Sequence, residues 1–204
     1  MNKRAFGLGI ILSLVLLFTL TCSANAANVA LMNKLTAAID SSELLSDTSK
    51  KFVKTKLFVL CTNPVFVDET KAQNSKNMTL DEIRRIDDLW QKAAQLLPIQ
   101  REKLSNSCAV EIKKVAKELG LKETFVMDNM GGVVGENELT SDYWQGDEDK
   151  WQKAYINGLG GVDIAKQKLD RSTNTIDQKV SLPIIDDNGA VIGAICIGLN
   201  VDNI

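Results

Sequence analysis

Side chains able to do chemistry crowd into one stretch, Thr140-Ser-Asp-Tyr-Trp-Gln-Gly-Asp-Glu-Asp-Lys-Trp151. It holds two of the three tryptophans and one of the two tyrosines of a chain that is only 5% aromatic. Aromatic walls with a few fixed polar groups build small-molecule pockets. The same residues also have a structural reading. Trp144 and Trp151 are one heptad apart, so on a helix they share a face and anchor it, with Asp147, Glu148 and Asp149 as a solvated start. Both readings stay open from the sequence. Thr140 or Ser141 is expected to cap a short helix, with Asp142 meeting its first-turn N–H groups. The three acids offer oxygens that suit Ca²⁺, but EF-hand spacing is absent. Asp186-Asp-Asn-Gly189 sits where a hairpin turn is needed. No metal site and no cofactor is expected.

The histidine count is zero, which excludes Ser-His-Asp triads, Cys-His dyads, HExxH zinc sites and imidazole switches. Carboxylate pairs could still perform glycoside chemistry. No two acids are singled out by their placement, and Cys61 has no base to activate it. The chain therefore reads as a binding protein rather than an enzyme. Lys plus Arg is 24 and Asp plus Glu is 26, a balance that argues against a nucleic-acid partner. Hydrophobic residues are 45% of the 204, enough to bury a core.

Met1 to Ala26 reads as an address. Lys3 and Arg4 precede an uncharged apolar run, Ala5 to Leu20, and Ala24-Asn25-Ala26 fits a cleavage site. The run is short for a span of about 20 residues. A cleaved secretory signal is expected over 1–26, with retention as an anchor the alternative. The mature chain, 27–204, is then periplasmic or outside the cell, where disulfides are permitted. Cys61 shares a helical face with Leu57 and Pro64, and Cys108 with Leu104 and Ile112. A Cys61–Cys108 bridge and two buried thiols are both open, and Cys196 reads as core.

The positioning elements divide by periodicity. Residues 27–121 are helical: Leu31, Leu35, Ala38 and Ile39; then Phe52 to Cys61 up to Pro64; then Leu80 to Leu97, entered through Thr79 with Glu82. A last stripe, Leu104, Cys108, Ile112, Val115 and Leu119, stops at Gly120. Residues 122–204 carry strand signals over Thr124–Asp128, Val133–Val134, Val162–Leu169, Thr175–Ile185 and Ala190–Val201. Turns fall at Asn129–Gly132, Arg171–Asn174 and Asp186–Gly189. Short connections impose antiparallel pairing. The fold class is α+β, one domain with about five antiparallel strands and helices packed on one face.

The last strand separates the two faces. Val191, Ile195, Ile197 and Leu199 make one side large and apolar. Ile192, Ala194, Cys196, Gly198 and Asn200 make the other mostly small. Small side chains leave room for a ligand, or for an aromatic from the insert.

Phe125-Val-Met-Asp-Asn129, then Thr140 to Glu148, then Val180-Ser-Leu-Pro183 and Gly193 to Asp202, together resemble an extracytoplasmic PAS-like sensor domain, the single Cache or PDC sensor family. The resemblance covers most of the mature chain and is clearest over 123–204. It implies a long N-terminal helix on one sheet face and, on the other, a pocket for an organic acid, amino acid or similar metabolite. It places Asp142, Tyr143 and Trp144 on the pocket wall, Trp151 behind them and Ser181 below, in agreement with Ala194, Cys196 and Gly198. It also implies signal transduction through a membrane receptor or kinase partner, with a homodimer as a further option. The insert has no arginine, so a carboxylate ligand would need Lys150, Lys153, Lys179 or backbone N–H groups. Ile204 follows the last strand directly, as in a stand-alone form. An exported structural or interaction module with a filled pocket is the competing reading.

Overall fold

The computed structural model describes residues 28–170 and 175–204. The expected signal segment with Cys22 and the expected turn Arg171–Asn174 lie outside the described residues. Helix α1 runs over 28–41 and buries Leu35 and Ile39. Ser46 caps α2, Asp47–Phe52, by accepting from the Ser49 N–H at 3.1 Å. The chain then widens into a π turn, Val53–Leu57, and tightens into a 3-10 turn, Phe58–Thr62. That change of pitch brings Val53, Leu57, Leu60 and Cys61 all into the core. Pro64 opens α3, Pro64–Asn74, at the position where a missing N–H costs nothing, with the Asn63 side chain as cap.

Helix α4, Leu80–Lys92, starts at the expected capping box of Thr79 and Glu82. It stops short of Leu97. Pro98 holds Leu97 extended, and a separate helix α5, Pro98–Lys103, follows. Helix α6, Ser107–Leu119, is capped by Asn106, so Leu104 ends α5 rather than joining the next stripe. Gly120 closes α6 at φ 67°, where a side chain would be strained.

Six strands follow: β1 Leu121–Met127, β2 Val133–Glu136, β3 Asp163–Ile164, β4 Lys168–Asp170, β5 Thr175–Ile185 and β6 Val191–Asn200. Between β2 and β3 lie helix α7, Asp149–Tyr155, and a 3-10 turn, Ile156–Gly158. The order is β2-β1-β6-β5-β3, with β4 also on β5, and every pair is antiparallel. This is the expected α+β, PAS-like arrangement, with the strand expected over Val162–Leu169 broken in two. The break has a local cause. The Ala165 N–H still bonds the Lys179 carbonyl at 2.9 Å, but the Ala165 carbonyl is taken by the Gln178 side chain at 3.0 Å. The same amide bonds the Leu44 carbonyl at 2.9 Å, tying the α1–α2 loop to the break.

The sheet is buried on both faces. The inner face, with Val126, Val180, Leu182, Ile195 and Ile197, packs against α1, the π turn and α6. The outer face, with Phe125, Met127, Ala194 and Cys196, packs under Trp151 and Ala154 of α7. A third cluster joins Ile83 and Trp90 to Val133 and Tyr143. Gly193 sits where β6 passes close to β1: a Cβ there would lie 2.3 Å from the Met127 carbonyl oxygen. Cys61, Cys108 and Cys196 are all buried free thiols, so the bridge reading does not hold. Among the described residues no helix is long and apolar enough to cross a membrane.

Candidate functional site

The structure divides the expected site residues into two groups. The insert from Thr140 to Glu148 is a loop, and its helix begins only at Asp149, so Thr140 and Ser141 cap nothing. The Asp142 carboxylate closes its own loop, accepting from Ser141 Oγ at 2.6 Å and Gln145 Nε2 at 2.9 Å. The Tyr143 and Trp144 N–H groups both donate to Asp87 Oδ1 of α4, at 2.8 and 3.0 Å. The Tyr143 ring is 1% exposed and lies 5.6 Å from Trp90. Trp144 donates from Nε1 to the Met130 carbonyl at 2.9 Å, with the Arg84 guanidinium over its ring. Tyr143 and Trp144 thus fasten the insert to α4 and to the β1–β2 hairpin, and Asp142 keeps the loop that carries them closed.

A buried polar network supports that anchorage. Gln73 Nε2 faces Asp128 Oδ2 at 3.0 Å, the Val133 carbonyl at 3.0 Å and Tyr143 Oη at 3.2 Å. Gln73 Oε1 accepts from the Lys103 ammonium at 2.6 Å. Lys103 is 3% exposed, and burial lowers its pKa despite the Glu102 carboxylate 3.0 Å away. Burial also raises the Tyr143 phenol far above its ordinary value, with Asp128 adding to the effect.

The second group lies on the outer sheet face. Trp151 donates from Nε1 to the Asp128 carbonyl at 2.9 Å, stacks on Tyr155 at 5.1 Å and covers Ala194 and Cys196. The room beside Gly198 is taken by β1: a Cβ there would meet the Glu123 carbonyl at 2.8 Å. Ser181 pairs in register with both Cys196 and Asp163, so the three share this face. Its Oγ is buried, and its hydrogen-bonding neighbour is the Cys196 thiol.

Beside this covered floor opens a cleft of about 760 Å³ between the start of α7 and the broken edge strand. Its walls carry Glu148, Lys150, Lys153, Asp163, Asp177 and Lys179. The Lys150 and Lys179 ammonium groups stand over the Phe125 ring, 5.5 and 5.8 Å from its centroid. Lys150 pairs with Glu148 at 2.9 Å and with Gln145 Oε1 at 2.8 Å, and Lys179 pairs with Glu123. Lys153 lies between Asp149 at 2.7 Å and Asp163 at 3.6 Å. Burial raises the Asp163 carboxyl above its ordinary value, against the pull of Lys153. The arrangement offers two cations above an aromatic plate with carboxylates around them, which suits a small ligand carrying a negative charge or both charges. The lysines were legible in the sequence as substitutes for arginine. Phe125, Glu123 and Asp163 were missed, although two-residue alternation puts Lys179 and Ser181 on one face of β5.

No protein-family model matches the chain, and no curated protein is similar to it. Solved structures do show similarity. The ligand-binding domain of the Campylobacter jejuni chemoreceptor Tlp3, in complex with L-valine, is 16% identical over 82% of this chain and 64% of its own, with a TM-score of 0.37. The sensor domain of the V. cholerae histidine kinase DctB is 15% identical over 68% and 54%, with a TM-score of 0.34. The E. coli DcuS sensor domain is 20% identical over 60% and 88%, with a TM-score of 0.34. The chain spans a little under two thirds of the Tlp3 domain's length. All three are described as ligand-binding or sensor domains.

Proposed function

We propose that this chain is an exported sensor domain that binds a small anionic or zwitterionic metabolite in the cleft between α7 and the broken edge strand. The observation that carries the reading is the convergence of Lys150 and Lys179 over Phe125, beside the buried Ser181 hydroxyl. A carboxylate entering there exchanges the lysines' present partners for its own oxygens, and Glu148 or Asp163 is left to receive a ligand ammonium. Trp151 and Cys196 form the covered part of the floor. Asp142, Tyr143 and Trp144 act at a distance, by holding the insert. Residues 1–26 serve as the export signal, the domain works in the periplasm, and a membrane receptor or kinase reads its state.

The test is a metabolite screen by thermal shift on protein recovered from cells expressing the full chain, repeated with Lys179→Met and Trp144→Ala. A ligand at 100 times its Kd stabilises the native state by about 2.7 kcal/mol. The shift should vanish in Lys179→Met and persist in Trp144→Ala. A shift that survives Lys179→Met places the ligand elsewhere. The second reading, an interaction module without a ligand, draws on the packing of Trp151 and Ala154 directly over Ala194 and Cys196. A full panel without any shift favours it.

A further inference from the structure

Glu136 ends β2 and is fully buried. Its Oε2 accepts from the Thr140 N–H at 3.0 Å and lies 2.9 Å from the Thr140 hydroxyl. The same hydroxyl lies 2.9 Å from the Asp142 carbonyl oxygen. A threonine hydroxyl has one hydrogen, and these two neighbours are both acceptors when Glu136 is ionised. One of the two contacts then lacks a hydrogen. The other carboxyl oxygen, Oε1, is buried with no partner among the described residues. One added proton removes the conflict. Oε2–H donates to Thr140 Oγ1, and the Thr140 hydrogen passes to the Asp142 carbonyl. Oε1 becomes the carbonyl oxygen of a neutral acid, which is far cheaper to leave unpaired than an ionised one.

We propose that Glu136 is a proton-operated latch that closes the insert onto β2 when neutral and loosens it when ionised. Thr140 is the hinge of that latch, because its carbonyl also accepts from Trp90 Nε1 at 2.9 Å. The insert leads directly to Glu148 and Lys150 at the cleft, so external acidity becomes a second input to the domain. The latch does not depend on a ligand in the cleft.

The charged surroundings pull in both directions. β1 faces Glu136 with Glu123, and α5 with Lys103 beside Glu102. α6 presents the Cys108 thiol, itself pushed up by burial, with Glu69 of α3 near it, and α3 reaches β2 through the neutral Gln73 amide. Burial lifts the Glu136 carboxyl from its ordinary 4.5 to about 7; the two Thr140 hydrogen bonds oppose this, Glu123 adds to it and Lys103 opposes it. A carboxyl raised on folding stabilises the native state fully below its unfolded pKa and loses that stabilisation as pH rises through the folded value. The window is therefore 4.5 to about 7. The chain has no histidine, so apart from the α-amino group no ordinary group competes in the upper part of it.

The experiment follows tryptophan fluorescence and urea unfolding from about pH 5.5 to 8, on wild type and Glu136→Gln, using protein recovered from cells expressing the full chain. Wild type should show a fluorescence transition near neutrality and a folding constant falling about 30-fold more than that of Glu136→Gln. Glu136→Gln, which has no proton to lose, should show no transition across this range. A flat wild-type profile, or the same transition in both proteins, overturns the proposal. Should Glu136→Gln fail to fold, the exchange protection of the Thr140 amide in wild type decides: a drop across the range supports the latch, and constant protection overturns it.

Discussion

Replacing Gln73 with leucine tests whether the polar network, rather than the aromatic packing around it, holds the insert. Leucine matches the volume but removes the donor facing Asp128, the Val133 carbonyl and Tyr143, and the acceptor for Lys103. Each buried partner left unpaired costs about 1–3 kcal/mol, more for a charge. Asp128 Oδ1 keeps the Met130 and Gly132 N–H groups, and Lys103 keeps Glu102, so the damage is partial. The net loss should be about 3–4 kcal/mol, large against the 5–15 kcal/mol typical of a domain. Urea unfolding at neutral pH reads it as a lower midpoint with an unchanged slope. Lys103→Met should be costly alone. The double variant should be less costly than the two single losses together by about 1–2 kcal/mol, because the second change removes the ammonium that the first leaves stranded. A Gln73→Leu loss under about 1 kcal/mol, or additive losses, would refute the reasoning.

Trp151→Ala should cost about 3–5 kcal/mol in thermal or urea unfolding, since it empties the space over Ala194 and Cys196 and removes one of two donors to the Asp128 carbonyl. A loss under about 1 kcal/mol would mean that the ring does not cover the floor. Cys61, Cys108 and Cys196 should resist a thiol reagent in native protein at mildly alkaline pH and react once urea is added. All three thiols are buried, Cys61 is pushed up to about 12, and Cys108 and Cys196 move the same way. Fast labelling of any of them in the native protein would contradict that burial.

The parts of the fold readable from sequence were those fixed by neighbours along the chain. Thr79 and Glu82 are three residues apart, Gly120 directly follows its helix, and the alternation on β6 needs only β6. The break in the edge strand was hidden because its cause, the Gln178 side chain, sits on another strand. Leu97 looked like the end of a stripe because periodicity ignores the restriction that Pro98 places on the residue before it. Tyr143 and Trp144 have the composition of a pocket wall. Their true surroundings come from Gln73, Asp87 and Trp90, more than 50 residues earlier, which local spacing cannot foresee. The cleft lysines were visible because the insert has no arginine, which left few other cations to consider there.

The sheet's borders have a consequence for life in a crowded compartment. One margin is β2, with four residues, and the other consists of β3 and β4, with two and three. A stray extended peptide seeking a template would find β2 buried, with Val133 and Val134 already bonded to Tyr143, Gln73 and Asn106, and on the other side a brief row interrupted at Ala165 by a side chain that already holds the carbonyl there. Fibril-like growth by strand addition is thereby discouraged.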